Sequence, residues 1–539
     1  MTSISENHRL LGASVLTQDS EATFIDVYRD AEMASSSARD RDGLPPWDQL
    51  IIDIKDYVFH YRITNPTAWR RSREVLLDTI GCAVLAANTS SECKTLLGPF
   101  IPGTEVSYGF RLPGTSFVLD PVKGAWDMGT MIRWLDFSDC IGGVDWGHPS
   151  DNLGAILAVS DWITQSNIPR GSGAPPLTIH TLLEALIKAT EIQGTFNVQN
   201  SFNNLGLDHT ALVKLASTAV VSWLLGLSED QTCAAISHVF MDGAPLRVFR
   251  AGTNTIPRKA WAAGDACMRA VQIALLVRNG QPGARTVLSM PRWGFYENTW
   301  RGKTFEFPAP EPGHLATSAE FPYSIFQTYI MERVALKLVP CEGHALFAIE
   351  AMREQSQRLR DRGLDPDRDV TSITLKACRP IVLILDKPGV LQNYADRDHS
   401  IQYVLGVTLL KGEPPSTEDY RDDSPWASSK ALRNVAKKMQ VVEDDGFTQE
   451  YLSNSRTDPS PPVASVTIFL KSGEVLDEVV ARDCPGTPAN SNTSAGATKK
   501  FRDNMKVSGF SSEKIGGIER LVMDGDNLPI TDLVNLLAV

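Results

Sequence analysis

Apolar residues recur at helical spacing through much of the first 305 residues. The clearest stretches are 73–87, 182–190, 211–225 and 260–277. A repeat of three to four residues places apolar side chains on one face of a helix, and that face then packs against a core. The pattern therefore predicts a helical domain over residues 46–310.

Two local signals place a boundary between two of these helices. Gly226 follows the third stretch, and a glycine in this position commonly ends a helix. Ser228 and Gln231 then have the spacing of a capping box, in which each side chain satisfies a backbone N–H group of the other residue. One helix is therefore predicted to end near Leu225, and the next to begin after Ser228.

The pattern changes after residue 308, where three prolines and a glycine fall within six residues and indicate a boundary. The strand-like segments that follow are 370–375, 381–385, 403–409 and 465–470, then a hairpin turn at 471–474 that leads into 474–481. The predicted fold class is mainly α with an α+β second domain. We expect a mobile arm over 1–45, a smaller α+β lid over 311–485, and a tail (486–539) that completes the helical domain.

Composition excludes several classes of function. The chain has 52 basic and 64 acidic residues, so its formal charge is −12. This charge argues against nucleic-acid partners and against an anionic membrane surface. No apolar run in the sequence is long enough to predict a membrane span, and the polar N-terminus resembles neither a secretory signal nor a mitochondrial leader. A cytoplasmic location is therefore expected, with a mitochondrial one as the alternative.

The eight cysteines are scattered, and no pair has C-x-x-C spacing. This argues against a structural zinc site and an iron–sulfur cluster, so no metal and no cofactor are expected. The sequence also lacks the serine elbow of hydrolases, the H-E-x-x-H motif, the phosphate-binding Walker loop and the dinucleotide-binding glycine motif. The chemistry must therefore be sought among the polar side chains.

Two polar stretches precede predicted helices in the first half of the chain. The first, 133–152, is predicted as a loop and contains five candidates: Asp136, Cys140, His148, Ser150 and Asn152. Its alternative role is an ordinary connection in which Ser150 or Asp151 caps a helix that begins at Asn152. The second stretch ends in His209 at a predicted helix N-terminus, where the helix dipole lowers a histidine's pKa and attracts anions. The alternative there is a buried structural histidine.

The third stretch, 246–265, contains Arg247, Arg250, Arg258 and Lys259. Such a group of cations in an acidic chain is suited to hold carboxylates, and the alternative is a solvated basic loop. The fourth stretch runs from Asp396 through His399 to Tyr403 at the predicted start of a strand, with Lys337 and His344 earlier in the same domain. A surface charge cluster is the alternative there.

Taken together, the four stretches resemble the MmgE/PrpD family. The resemblance rests on the Asp-Phe-Ser-Asp string at 136–139 and on longer strings in the same order, at 146–155, 206–209, 258–266, 293–296 and 395–403. It covers about 46–539 and is greatest to the 2-methylcitrate dehydratase branch. It implies a helical domain with an α+β lid, a homodimer, and a metal-free site between the domains. The site residues it implies are Asp136, Cys140, His148, His209, Lys259, Lys337, His344 and Tyr403.

The expected reaction is the loss of water from a tricarboxylate of the 2-alkylcitrate type. The proton removed lies next to a carboxylate, so cations must stabilise the negative charge that develops, and an acid must protonate the leaving hydroxyl. We expect Arg258, Lys259 and Lys337 to hold carboxylates. Either His148 or His209 is the base, and the other histidine or Tyr403 is the acid. Asp136 is expected to orient a histidine or a lysine.

Residues 141–144 read Ile-Gly-Gly-Val, where bacterial members of the family have the bulkier Tyr-Leu-Ala-Ala. Smaller side chains near the site suggest room for an alkyl group longer than methyl, and a flexible glycine turn is the alternative. Two other functions stay open at this point. One is decarboxylation of a cis-aconitate within the same family, and the other is a catalytically silent binding or scaffold protein.

Overall fold

The computed structural model describes residues 43–251, 254–307, 325–453 and 461–539. Of these described residues, those within 49–284 and 304–539 belong to one compact unit, and a second unit contains 43–48 together with 285–303. Residues 1–42 of the predicted arm and the proline-rich boundary at 308–313 lie outside the described residues.

Helices dominate the first half of the described chain. Their bounds are α1 (Gln49–His60), α2 (Pro66–Thr89), α3 (Ser91–Leu96), α4 (Pro121–Arg133), α5 (Leu153–Ser166), α6 (Ile179–Gln199), α7 (Thr210–Leu224), α8 (Glu229–Met241), α9 (Arg258–Arg278) and α10 (Phe295–Asn298). The stretches 73–87, 182–190 and 260–277 lie inside α2, α6 and α9, and the stretch 211–225 matches α7 except for Leu225, which is the C-terminal cap of that helix. The boundary signals are also confirmed, since Gly226 has a φ of 73° and the capping box of Ser228 and Gln231 is formed.

The second half of the described chain mixes helices with short strands. Its helices are α11 (Tyr329–Arg333), α12 (Ala345–Asp361), α13 (Pro366–Asp369), α14 (Arg379–Leu385), α15 (Tyr394–Arg397), α16 (Ile401–Lys411), α17 (Lys430–Lys437), α18 (Asp445–Leu452), α19 (Thr493–Val507), α20 (Ser512–Asp524) and α21 (Ile530–Leu537). The strands of the whole described chain are β1 (Phe110–Arg111), β2 (Val118–Leu119), β3 (Asp139–Cys140), β4 (Ala335–Leu336), β5 (Val370–Ala377), β6 (Met439–Glu443), β7 (Ala464–Leu470) and β8 (Val479–Ala481).

The largest sheet among the described residues has the order β6-β5-β7-β8. β5 pairs parallel to β6 and antiparallel to β7. Helices α12 and α16 pack together, and the buried core around them and this sheet includes Phe347, Ile373, Val404 and Ile468. The mainly helical fold with an α+β part agrees with the predicted fold class.

Two predicted strands were wrong. Residues 381–385 belong to α14 and residues 403–409 belong to α16, so the stretch from Asp396 to Tyr403 leads into a helix rather than a strand. A short apolar run has the same pattern in a buried strand and in a buried helix. Local signals decide here, because Pro380 lies in the first turn of α14 and Ser400 caps α16 through the backbone N–H of Tyr403. The strand predicted over 474–481 is also shorter, and only β8 remains of it.

A close crossing of α4 and α9 sets the geometry of the site. A Cβ atom added at Gly264 would lie 2.3 Å from the carbonyl oxygen of Trp126, and one added at Gly129 would lie 2.8 Å from the Cα atom of Gly264. Only glycine permits backbones this close. By length and composition α9 also passes as a membrane span, but 61% of the tested segment is buried inside the protein, as expected of a core helix.

The tail packs on the helical part. The ammonium of Lys500 in α19 lies 2.8 Å from the buried carboxylate of Asp78 in α2, and Phe501 lies against Gly81 of the same helix. These contacts support the proposal that residues 486–539 complete the helical domain.

Candidate active site

Asp136 lies on the wall of a cavity of about 430 Å³. It follows α4 and has a φ of 48°, a conformation that residues other than glycine seldom adopt. One carboxylate oxygen accepts hydrogen bonds from Arg133 (2.9 Å) and from Lys337, and the other accepts from Lys259 (2.9 Å). Three cations thus converge on one buried carboxylate.

The ladder between β3 and β4 brings Lys337 to this place. Cys140 pairs with Ala335 and Asp139 with Leu336, so the residue after β4 reaches back to the loop that contains Asp136. The ammonium of Lys337 also donates to the carbonyl oxygen of Cys341 at 2.9 Å. A residue about 200 positions away in the sequence is in this way fixed within the first loop.

Lys259 links two carboxylates. Its ammonium lies 2.9 Å from Asp136 and 2.9 Å from Asp398, and the second oxygen of Asp398 lies 2.7 Å from Nδ1 of His399. Burial opposes the ionised form of Asp136, but the neighbouring Arg133, Lys259 and Lys337 hold its pKa well below the usual range. Burial and repulsion by Asp136 raise the pKa of Asp398. Asp136 is thus the carboxylate that stays ionised.

His148 has a defined tautomer. Its Nδ1 lies 2.6 Å from the backbone carbonyl oxygen of Asp139, and a carbonyl oxygen only accepts hydrogen bonds, so Nδ1 carries the proton. The lone pair of the neutral ring is therefore on Nε2. Burial, together with the charges of Arg133 and Lys337, lowers the pKa of His148 well below its usual value. A neutral imidazole with this tautomer is a base at neutral pH.

His209 directly precedes α7, as predicted, and its ring centre lies 5.7 Å from that of His148. Its Nε2 is buried and has no hydrogen-bond partner among the described residues. Burial lowers the pKa of His209 well below its usual value, although the carboxylate of Asp208, 3.9 Å from Nδ1, opposes this. Asp208 in turn accepts from Arg250 at 2.6 Å and 3.2 Å.

A third histidine lies on the side of the cavity formed by the second half of the chain. Nδ1 of His344 lies 2.9 Å from the carboxylate of Glu342, and the ring packs on Trp146 with a centroid distance of 4.0 Å. The indole N–H of Trp146 donates to the hydroxyl of Tyr451 at 2.7 Å, and that hydroxyl donates to the carbonyl oxygen of Gly143 at 3.0 Å. These bonds join the loop 141–147 to α18.

Two family models match most of the chain: the MmgE/PrpD N-terminal domain over residues 52–308 and the MmgE/PrpD C-terminal domain over 339–522. The chain belongs to the MmgE/PrpD family. An alkylcitrate dehydratase (phiI) from a fungal species is 46% identical, with 86% of this chain and 88% of that protein covered. The mitochondrial 2-methylcitrate dehydratase of Yarrowia lipolytica is 42% identical (82% and 81% covered). The 2-methylcitrate dehydratase of Escherichia coli K12 is 40% identical (82% and 87% covered).

Seven of the thirteen residues predicted for the site of this MmgE/PrpD protein line the cavity. They are Asp136, His148, His209, Arg250, Lys337, His344 and His399. Lys259 does not line the cavity but contacts it through Asp136.

Ser150 and Asn152 lie behind the cavity wall. The hydroxyl of Ser150 donates to the carboxylate of Asp139, and Asn152 bonds with Gln193 and Ser217. Neither the side chain of Ser150 nor that of Asp151 caps a helix at Asn152, since α5 begins at Leu153 and has no side-chain cap. The loop is therefore held together by its own buried polar contacts.

The remaining three predicted residues point elsewhere. Cys140 faces a second, apolar cavity, and Arg258 lies over the ring of Trp261 at 4.1 Å with about a third of its side chain exposed. The hydroxyl of Tyr403 donates to the carbonyl oxygen of Asp419 at 2.7 Å, and its ring stacks on Tyr420. Neither Arg258 nor Tyr403 lines the cavity that contains the two histidines.

Sequence reasoning missed several residues that line the cavity of this MmgE/PrpD protein: Arg133, Glu342 and Tyr451. Arg247, one of the four cations of the third stretch, lines it as well. Arg133 lies at the start of the first polar stretch, where its positive charge was the available signal. Glu342 stands two residues before His344, a spacing that allows its carboxylate to accept from the histidine. Tyr451 had no local signal, because only the packing of α18 brings it to residues 143–146.

Two groups of side chains among the described residues have the composition of metal ligands. One is Asp136, Asp398 and His399, and the other is the more exposed Asp56, His60 and Glu229. In the first group the ammonium of Lys259 already lies 2.9 Å from both carboxylates and supplies the positive charge there. A metal-independent reaction stays a prediction, and chelator treatment tests it.

Proposed function

We propose that the chain dehydrates 2-methylcitrate or a longer 2-alkylcitrate to the corresponding cis-aconitate by acid–base elimination. The observation that carries the proposal is the pair of buried imidazoles, His148 and His209, with ring centres 5.7 Å apart in a cavity whose polar wall includes five cations. These cations are Arg133, Arg247, Arg250, Lys337 and Arg379. The names of the relatives point to the same reaction.

The cations make the difficult step possible. Removal of a proton next to a carboxylate places a second negative charge beside the first, so the carbanion forms only if the carboxylate is neutralised. Lys337 is fully buried on this wall, and Arg247 is partly exposed to the cavity. We assign to them the binding of substrate carboxylates. Asp136 and Lys259 are positioning residues. Asp136 holds Lys337 and Lys259 holds Asp398, and neither is assigned a contact to the substrate.

His148 is the base. Its Nδ1–H group is held by the carbonyl oxygen of Asp139, so Nε2 has the lone pair and accepts the proton. The electron pair of the broken C–H bond then forms the new C=C bond as the C–O bond breaks. A base fixed in this tautomer needs no change of ring orientation before it accepts the proton. General-base catalysis of this kind contributes a factor of roughly 10²–10⁴ to the rate.

His209 is the acid that protonates the leaving hydroxyl. Burial and the nearby arginines Arg250 and Arg247 lower its pKa, and the substrate brings up to three carboxylates that compensate these arginines and raise it. The largest charge effect on the pKa of His209 comes from Asp208, 3.9 Å away, which favours the imidazolium form. The largest charge effects on the pKa of His148 come from Arg133 and Lys337, which oppose that form. The hydroxyl therefore leaves as water, with the proton from Nε2 of His209.

Two further proposals rest on the resemblance and on composition. The first is a homodimer, which light scattering of the purified chain tests directly. The second is a cytoplasmic location, with a mitochondrial one as the alternative because the Yarrowia relative is named as mitochondrial. Fractionation of the source cells separates the two.

The decisive experiment uses chelator-treated protein with synthetic 2-methylcitrate and 2-hexylcitrate. The absorbance of the new conjugated alkene reports turnover. Turnover of either acid is the expected result. If neither acid reacts but cis-aconitate loses carbon dioxide, the decarboxylase function replaces this proposal. If all three acids are inert, the scaffold function replaces it.

A further inference from the structure

The cavity has a second face that the acid–base chemistry does not use. Apart from the charged residues, it is lined by apolar side chains of α14 and α18 and of the loop 141–147: Val144, Trp146, Pro380, Leu383, Ile384 and Leu452. A volume of about 430 Å³ lies within the range of roughly 300–1,000 Å³ that is typical of small-molecule pockets. The apolar side chains of this face offer no charge to the acid groups of a citrate, and Arg379 at the start of α14 is already paired with Glu443 at 2.9 Å.

Helix α14 turns two apolar residues towards this face. Ile381 and Leu385 are buried and hold the helix on the core, while Leu383 is 76% exposed and Ile384 is partly buried. Val144 across the cavity is 49% exposed and Leu452 is 58% exposed. Single exposed apolar residues are common on proteins, but several around one cavity mark a binding surface.

We propose that this surface, formed by Leu383, Ile384, Val144 and Leu452, binds the alkyl chain of the substrate and selects a chain longer than methyl. The inference rests on the proposed dehydratase function. With the carboxylates on Lys337 and Arg247, the substituent on the reacting carbon extends along the apolar face towards the open mouth. Solvent leaves the chain and the wall together, so binding strengthens with each methylene.

The structure also has another apolar cavity, of about 230 Å³, lined by Cys140, Gly142, Ala335 and Phe347 among others. This second cavity is less suited to the alkyl chain. The indole of Trp146 lines both cavities and separates the second one from the cavity that contains His148 and His209. Trp146 is fixed there by its bond to Tyr451 and by its packing on His344. An alkyl chain could enter the second cavity only if Trp146 moved, whereas it reaches the face on α14 without any movement of Trp146.

The pair Gly142 and Gly143 does not need to be explained by extra room for the substrate. A Cβ atom at Gly143 would lie 2.4 Å from the carbonyl oxygen of Asn197, so backbone packing requires this glycine. Gly142 lines the second cavity, and a Cβ atom there would meet Trp146 at an ordinary 3.5 Å, so a side chain can be added at the wall of that cavity. Gly142→Leu therefore tests that cavity separately.

The size of the effect follows from burial. Full burial of a methylene strengthens binding about four-fold, and a chain that lies on one wall gains about two-fold for each methylene. From methyl to hexyl, five methylenes give a ratio of kcat/KM of roughly 30 in favour of hexylcitrate. The test measures this ratio for the full-length chain and three variants.

The double variant Leu383→Asn/Ile384→Asn is expected to lower the hexyl-to-methyl ratio at least about five-fold, as the apolar contact is lost. Val390→Asn is the matched control, because Val390 is 84% exposed in the loop after α14 and does not line the cavity; it should leave the ratio unchanged. The ratio separates alkyl binding from a folding defect, which would lower both rates alike.

Four results overturn the inference. An unchanged ratio in the double variant, or a wild-type ratio near one, refutes the binding of the alkyl chain to this surface. Turnover of methylcitrate in the same experiment would still support the dehydratase function. A ratio that falls in Gly142→Leu and not in the double variant assigns the chain to the second cavity. The absence of turnover with every alkylcitrate refutes the proposed function itself.

Discussion

Replacement of His148 by asparagine tests the assignment of the base. The amide N–H₂ of asparagine takes the place of Nδ1 and keeps the donor to the carbonyl oxygen of Asp139, but nothing replaces Nε2. The loop should therefore keep its structure while the base is lost. Since a general base contributes roughly 10²–10⁴ in rate, kcat should fall by that factor, or by about 2.7–5.4 kcal/mol in activation free energy.

The assay follows alkene absorbance at saturating 2-methylcitrate, and denaturant unfolding checks that stability is kept. His238→Asn is the control, because Nε2 of His238 bonds to the carbonyl oxygen of Pro282 and the residue does not line the catalytic cavity. In heavy water, His148→Asn should also stop deuterium exchange at the reacting carbon. A variant that retains more than about a tenth of wild-type kcat would refute the assignment of His148 as the base.

Three other substitutions test the surroundings of the site. Lys259→Met leaves Asp136 and Asp398 without their shared cation, so the free energy of unfolding in denaturant should fall by about 3–5 kcal/mol. Burial raises the pKa of Asp139 to about 7, so the contribution of this group to stability should be lost as pH rises from about 4 to about 7; in pH-dependent unfolding, the difference between wild type and Asp139→Asn should change by about 4 kcal/mol over this range. Tyr403→Phe should keep kcat within about two-fold, because its hydroxyl bonds to a backbone carbonyl; a loss of 100-fold would restore it as the acid.

The sequence was sufficient for features that local pattern determines. The helices around 73–87 and 260–277 were predicted because their apolar spacing is regular, and the capping box at Ser228 because its two side chains are neighbours in the chain. The same local pattern failed at 381–385 and 403–409. There the apolar side chains fit a buried helix as well as a strand, and only Pro380 and Ser400 favoured the helix.

Residue type alone did not separate the cations that reach the cavity from those that do not. Arg258 and Lys259 are adjacent in the sequence, yet Lys259 points inward to Asp136 while Arg258 lies over the ring of Trp261. Successive residues on a helix point about 100° apart, so only one of two neighbours can face a given wall. The sequence does not say which one does until the packing of α9 against α4 is known.

Tertiary packing also explains why Tyr403, which the resemblance implied as a site residue, lies away from the cavity and why Tyr451 was missed. In a strand, Tyr403 would have alternated with buried neighbours and faced one side of a sheet; in α16 its hydroxyl instead turns towards Asp419. Tyr451 comes from α18, after the parallel strand β6, and its place beside Gly143 depends on how β6 pairs with β5. The acid must therefore come from a group on the cavity itself, and His209, whose buried Nε2 bonds to no described residue, meets that condition where Tyr403 does not.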